Sequence, residues 1–226
     1  VPNTKPILFR EFDQYERALV YRRHLPHWRQ DGATYFVTFR LADSVPGHVV
    51  ERWRQRRQVW LNAHRLTDDL DELAWRERYL TVPAPDRAAF ERDQARALLT
   101  ELDRHHGECV LRGPGCGAVM AEALAFFDPL RVRCGDYVVM PNHVHWLVQP
   151  ALGEELEGLL LAVKRFTATR INRDLGRHGP LWQRESFDRL VRNRAELDRI
   201  RGYIAANPAT AGMDPAGVAR FAAVWC

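Results

Sequence analysis

The stretch "DYVVMPNHVHWLVQP", residues 136–150, carries the reading of the fold. Val138, Val139 and Met140 lead into Pro141 and Asn142, and Trp146, Leu147 and Val148 follow. Two apolar runs separated by turn residues predict a β-hairpin. In its second arm His143 and His145 stand two positions apart, and side chains two apart on a strand share a face. Val144 then points the other way, into the core. Two imidazoles on one face can supply two ligands to one divalent metal. The same spacing also describes two hydrogen-bonded histidines near a turn.

Outward from the hairpin, the flanking segments alternate in kind. "TYFVTFRL", residues 34–41, is aromatic and β-branched and predicts a strand. After "DSVPG", the run "HVVERWRQRRQVWLNAHRL" predicts a helix with Val49, Trp53, Val59 and Trp60 as its apolar positions. The charged, helical section up to about residue 107 breaks at "VPAPD", where Pro85 and Asp86 form a helix start. "GAVMAEALAFF" is a short helix that has to end before Pro129. "EELEGLLLAVKRFTATRINRDLG" is acidic at its start and basic at its end, with Gly176 as the stop. "SFDRLVR" predicts a short strand, and "RAELDRIRGYIAAN" a helix closed by Pro208.

This order implies an α+β fold, a ferredoxin-like antiparallel sheet with helices packed on it and a helical insertion after the first strand. We expect one domain over residues 1–226. Residues 1–33 form an N-terminal arm, 48–104 the insertion, and 34–47 with 105–213 the core.

Hydrophobic residues make up 46% of the chain, enough for a sizeable core. The formal charge is +4, and lysine occurs only at Lys5 and Lys164, so arginine supplies the positive charge. The planar guanidinium suits phosphate, which makes nucleic acid the first partner to consider. A GC-rich genome would produce the same bias. Cys109, Cys116, Cys134 and Cys226 form no CxxC pair, so free thiols in a reducing compartment are expected. "VPNTKPILFREF" lacks a basic stretch before an apolar run, and no window approaches ~18 consecutive apolar residues. The expectation is a soluble, cytoplasmic protein with no membrane partner.

On the last predicted helix, Tyr203 and Asn207 are four apart and stack on one face. An asparagine amide oxygen is a hard ligand suited to magnesium or manganese, and the tyrosine hydroxyl beside it would remain free. The same pair also describes an aromatic core residue and a helix end before Pro208.

Three segments in order, "VVMPNHVHWLV", "GPLWQRESFDRLVR" and "YIAANPATAG", resemble the REP-associated tyrosine transposases, of the HUH single-tyrosine transposase superfamily. "TYFVTFRL" and the apolar helix ahead of the hairpin match as well. The resemblance covers residues 20–44 and 105–213, and segment 48–104 is longer than the smallest members need. It implies that His143 and His145 are the HUH histidines, Tyr203 the nucleophile and Asn207 the third metal ligand, all four catalytic. It further implies cleavage and rejoining of single-stranded DNA beside hairpins through a 5′-phosphotyrosine, with Mg²⁺ or Mn²⁺. Relatives of this kind act as monomers or as homodimers.

A phosphotyrosine link conserves the phosphodiester, so rejoining needs no nucleotide cofactor, and the chain has no GxxxxGK[ST] loop. "RGPGCG", residues 112–117, reads as a turn. For DNA contact the candidates are Lys164, Arg165, Arg170, Arg173 and Arg177 on or after the long helix, with Trp182, Gln183 and Arg184 near the following strand. Arg22, Arg23 and Arg29 in the arm are secondary candidates. A solvated helix face and a core tryptophan would look the same in sequence.

Two rival functions remain: a hairpin-DNA-binding protein derived from a transposase that no longer cuts, and a zinc hydrolase built on HVH plus a carboxylate. Tyr203 and Asn207 argue against the first, and the missing HExxH-type ligand set against the second. "DDLDE" reads as a solvated turn. Adjacent His105 and His106 point apart, so chelation by them is not expected. Ser186 and Asp188 lack a nucleophile-elbow pattern.

Overall fold

Strand order defines the architecture. A computed structural model describes residues 2–13, 15–16, 18–22, 26–113 and 115–226. The arm contains β1 (Leu19–Arg22) paired antiparallel with β2 (Pro26–Arg29). Next come β3 (Tyr35–Arg40), the helices α1 (Gly47–Ala63), α2 (Glu72–Thr81), α3 (Ala84–Leu102) and α4 (Cys116–Ala125), then the hairpin β4 (Val132–Val139) and β5 (His143–Pro150). α5 (Leu156–Asp174), β6 (Phe187–Leu190), α6 (Arg194–Thr210) and β7 (Arg220–Phe221) complete the order.

The main sheet runs β6-β3-β5-β4-β7, and its pairings are antiparallel. Without the edge strand β7, this is the arrangement of a split βαβ, ferredoxin-like core: first and third core strands in the centre, fourth and second outside. The fold is α+β, and α1–α3 lie between the first two core strands, as expected for the insertion.

Alternation gives each sheet face its own core. Val37 and Phe39 of β3 and Val144, Trp146 and Val148 of β5 cluster with Met120 and Leu124 of α4 and Leu159 and Val163 of α5. On the opposite face Phe36, Val138, Met140 and Leu147 cluster with Leu197, Ile200 and Ile204 of α6. Burying each such Leu or Ile contributes about 1.5–3 kcal/mol. α6 is thereby pinned over the face that carries His143 and His145.

β4 has one extra residue: Cys134 is opposite Val148, but Tyr137 is opposite Trp146. The bulge falls at Gly135, where an added Cβ would meet Trp225 at 2.4 Å and the Leu147 carbonyl at 2.7 Å. Beside it, buried Asp136 accepts from Trp225 Nε1 at 2.8 Å and from Arg201 Nε at 3.0 Å. This ties the C-terminal segment and α6 to the sheet.

Two features differ from the sequence expectations. The arm carries the β1–β2 pair, and Val20 packs with Leu61, Leu66, Trp75 and Tyr79, joining the arm to the insertion. Arg23 lies outside the described residues, as does Pro114 of the "RGPGCG" turn. α6 does not stop at Pro208, which sits inside the helix. Its end is set by Gly212, at φ 68°, where Met213 N–H donates to the Pro208 carbonyl and Gly212 N–H to the Ala209 carbonyl. α5 ends with the same motif around Gly176, as predicted. Among the described residues no helix is long and apolar enough to cross a membrane.

Candidate active site

The turn between β4 and β5 is held by its own backbone and by its neighbours. Met140 N–H donates to the His143 carbonyl at 2.9 Å, Leu41 N–H to the Asn142 carbonyl at 2.8 Å, and Leu111 N–H to the Pro141 carbonyl at 3.2 Å. His143 and His145 follow on the face beneath α6, both 0% exposed. Their Nε2 atoms converge to 3.0 Å.

Each ring is oriented through its other nitrogen. Asn142, fully buried, donates from Nδ2 to the carbonyls of Leu102 at 3.4 Å and His106 at 3.3 Å. That assigns its Oδ1 to His143 Nδ1, 2.7 Å away. An amide oxygen only accepts, so His143 carries its proton on Nδ1 and presents a lone pair at Nε2. His145 Nδ1 meets the Thr38 hydroxyl at 2.8 Å. A hydroxyl can donate or accept, so Thr38 serves either tautomer of His145.

α6 brings the third component. Asn193 caps the helix by accepting from Glu196 N–H at 2.9 Å, and Glu196 reaches back to Arg192 N–H at 2.9 Å. Three turns on, the Tyr203 hydroxyl lies 3.1 Å from His145 Nε2, and its ring meets Phe36 edge-on with centroids 6.2 Å apart. Asn207 follows one helical turn later, 3% exposed, and its Oδ1 has no hydrogen-bond partner. Leaving a buried amide oxygen unpaired costs about 1–3 kcal/mol.

Electrostatics keep these groups neutral. Burial lowers His145 to about 3, and burial with the neighbouring His145 and His105 holds His143 well below the ordinary imidazole range. Burial raises the Tyr203 phenol, the Asp103 carboxylate raises it further, and the Asn207 side chain partly opposes them by hydrogen bonding. Asp103 and His105 belong to the loop after α3, the loop that Asn142 grips. The end of the insertion therefore lies against the site.

The donor set can be tested for fit to a hard divalent ion. The two imidazole Nε2 atoms, 3.0 Å apart, are close enough to serve one ion. Neutral imidazoles, a fixed lone pair on His143 and an unpaired amide oxygen on Asn207 are the chemistry such an ion takes. Among the described residues no group of three or more His, Cys, Asp and Glu side chains is placed to hold a metal.

No family model matches the chain, and no curated protein matches it. Among solved structures it is similar to a chain described as the REP associates tyrosine transposase bound to a REP hairpin. The TM-score is 0.43 at 14% identity, over 86% of this chain and 74% of that one. A likeness of that degree carries no function across, so the chemistry has to come from this chain's own residues.

The sequence-derived DNA candidates fall into distinct environments. Arg165 and Arg184 are exposed. Arg170 and Arg173 each pair with Asp174 at 3.0 Å, and Arg177 pairs with Glu108. Lys164 Nζ donates to the carbonyls of Gln183 at 3.0 Å and Arg184 at 3.2 Å, fastening α5 to that segment. Trp182 is buried: its indole N–H donates to Thr167 Oγ1 at 2.9 Å and its ring packs on Phe39. Gln183 lines a cavity with Thr38 and Arg40. In the arm, Arg29 is engaged by Asp188 and Glu157, both at 2.5 Å, and Arg22 donates to the Thr67 carbonyl at 3.3 Å.

Asn142, Thr38 and Arg40 were not singled out from sequence. Their signal was positional: Asn142 abuts the first histidine. Thr38 and Arg40 come onto the histidine face once β3 pairs with β5.

Proposed function

We propose that this chain cleaves and rejoins single-stranded DNA at hairpin repeats as a tyrosine transposase, through a 5′-phosphotyrosine on Tyr203. The observation that carries it is the Tyr203 hydroxyl 3.1 Å from His145 Nε2, beside the converging His143–His145 pair. The motif order in sequence supports the same reading. DNA with a hairpin is the partner, and the chain acts as a monomer or homodimer.

In this reading the Tyr203 oxygen attacks the scissile phosphorus as the bond from phosphorus to the 3′-oxygen breaks. The phosphate stays on the tyrosine, the freed 3′-oxygen takes up a proton, and the phenol gives one up. Attack by a 3′-hydroxyl on the phosphotyrosine reverses the step, so no nucleotide is consumed. His143, His145 and Asn207 are the residues to hold Mg²⁺ or Mn²⁺, which when bound supplies positive charge to a phosphate oxygen and to the phenolate. Asn142 and Thr38 fix the two imidazoles, and α6 fixes the nucleophile relative to them. Phe36 limits the tyrosine ring to its edge-on position.

The test uses labelled hairpin DNA with a single-stranded 5′ extension and Mn²⁺. Wild type is expected to cut it, and His143→Ala with His145→Ala to lose the metal-dependent cleavage. Full cleavage by the double variant would rule out the metal site.

A further inference from the structure

We propose that Arg40 is the cation of a phosphodiester pocket beside the histidine pair, a site that holds one phosphate of a single DNA strand. The proposal rests on the chain being a single-strand DNA enzyme and adds a residue that positions the strand.

Arg40 closes β3 and stands opposite His143 in the register, as Thr38 stands opposite His145. Directly opposed residues share a face, so both lie alongside the imidazoles. The Arg40 guanidinium makes a side-chain hydrogen bond from Nη1 to Ser44 Oγ at 3.1 Å, and buried Ser44 in turn donates to the Leu41 carbonyl at 2.7 Å. Most of the guanidinium fork is left uncommitted.

Arg40 has no counter-ion among the described residues. Arg29, Arg189 and Arg201, also partly buried, do have them: Arg29 has Asp188 and Glu157, Arg189 has Glu196 at 2.5 Å, and Arg201 has Asp136. Among the described residues no carboxylate lies within ion-pair distance of Arg40. Burial lowers its pKa and no acidic neighbour offsets the shift. A desolvated, unpaired cation is a cost to the fold, which an anion arriving at the site would offset.

The space for that anion is present. Arg40 lines a cavity of about 140 Å³ together with Thr38, Gln183 and Ser186. Arg54 and Arg57 stand in the same wall, together with the acidic Glu185. The volume suits one phosphate group with a few waters. Hydroxyl and amide donors around an arginine fork match phosphate oxygens.

The experiment measures equilibrium binding of oligothymidylate across a salt series, which needs neither the cognate hairpin nor cleavage. Arg40→Gln is expected to weaken binding about 10-fold at low salt. It should also flatten the plot of log K against log salt by ~0.7, the loss of one single-strand phosphate contact. Its thermal midpoint should match or exceed that of wild type, and a methylphosphonate oligothymidylate should bind both proteins equally. Arg40→Lys should keep the slope. Wild-type affinity and slope in Arg40→Gln, or an equal loss on the uncharged oligomer, would overturn the site. Were wild type to form no covalent DNA adduct, the cleavage reading would fall while this result stood.

Discussion

Tyr203 and His145 stand 58 residues apart, yet the tyrosine hydroxyl lies 3.1 Å from the imidazole Nε2. The pairing is set by two independent features, the register of β3 and β5 and the docking of α6 on the same sheet face. Either alone would leave a pair of buried histidines or a helix-borne tyrosine without a partner.

In the proposed metal site Asn142 links ligand and scaffold, because it fixes the His143 tautomer while gripping the end of α3. Asn142→Ala should weaken Mn²⁺ binding by about 10–100-fold, read by calorimetry. Asn142→Asp retains an acceptor for His143 Nδ1–H and should lose less. Wild-type affinity in the alanine variant would show that His143 needs no such support.

Asp188 links the arm to the sheet: it accepts from Arg29 at 2.5 Å and lies 2.6 Å from His27 Nδ1. Burial raises its pKa, but His27 and Arg29 outweigh that and hold it below the ordinary 3.8. A carboxylate depressed in the folded state adds stability above its unfolded pKa and loses it as pH falls through the folded one. Melting temperature should therefore drop on acidification below pH ~4. Asp188→Asn should cost about 3–5 kcal/mol at neutral pH and flatten that acid limb. An unchanged acid limb would assign it to other carboxylates.

Much of this fold was open to inspection in the sequence, and the exceptions have physical causes. β3, the hairpin and α5 carry strong alternation or clear end signals, so their places followed directly. The end of α6 was misplaced because Pro208 is a conspicuous breaker, whereas the operative stop is the left-handed Gly212 and its Schellman bonds. β1, β2 and β7 are only two to four residues long, too short to carry a periodic signal, and β7 pairs with the distant Tyr137 and Val138. In the candidate site, His143, His145, Tyr203 and Asn207 were visible as residue types at telling spacings. Thr38 and Arg40 were not, since their position over the histidines exists only through strand register.

Trp182 shows the same limit from the other side: an aromatic in a basic segment suggested base stacking, and the fold buries it. Trp182→Phe keeps the ring on Phe39 and leaves Thr167 bonded to the Val163 carbonyl. It should cost about 1–2 kcal/mol in urea melts and leave single-strand affinity unchanged. A selective loss of DNA binding without destabilisation would mean that the indole reaches the strand.

The most direct test of the central claim is to incubate the protein with hairpin DNA and Mn²⁺ and map any covalent adduct by mass spectrometry. The expected result is a nucleotide-bearing peptide modified at Tyr203, absent in Tyr203→Phe although that variant still binds the DNA. An adduct on another residue, or one undiminished in Tyr203→Phe, would contradict the assignment.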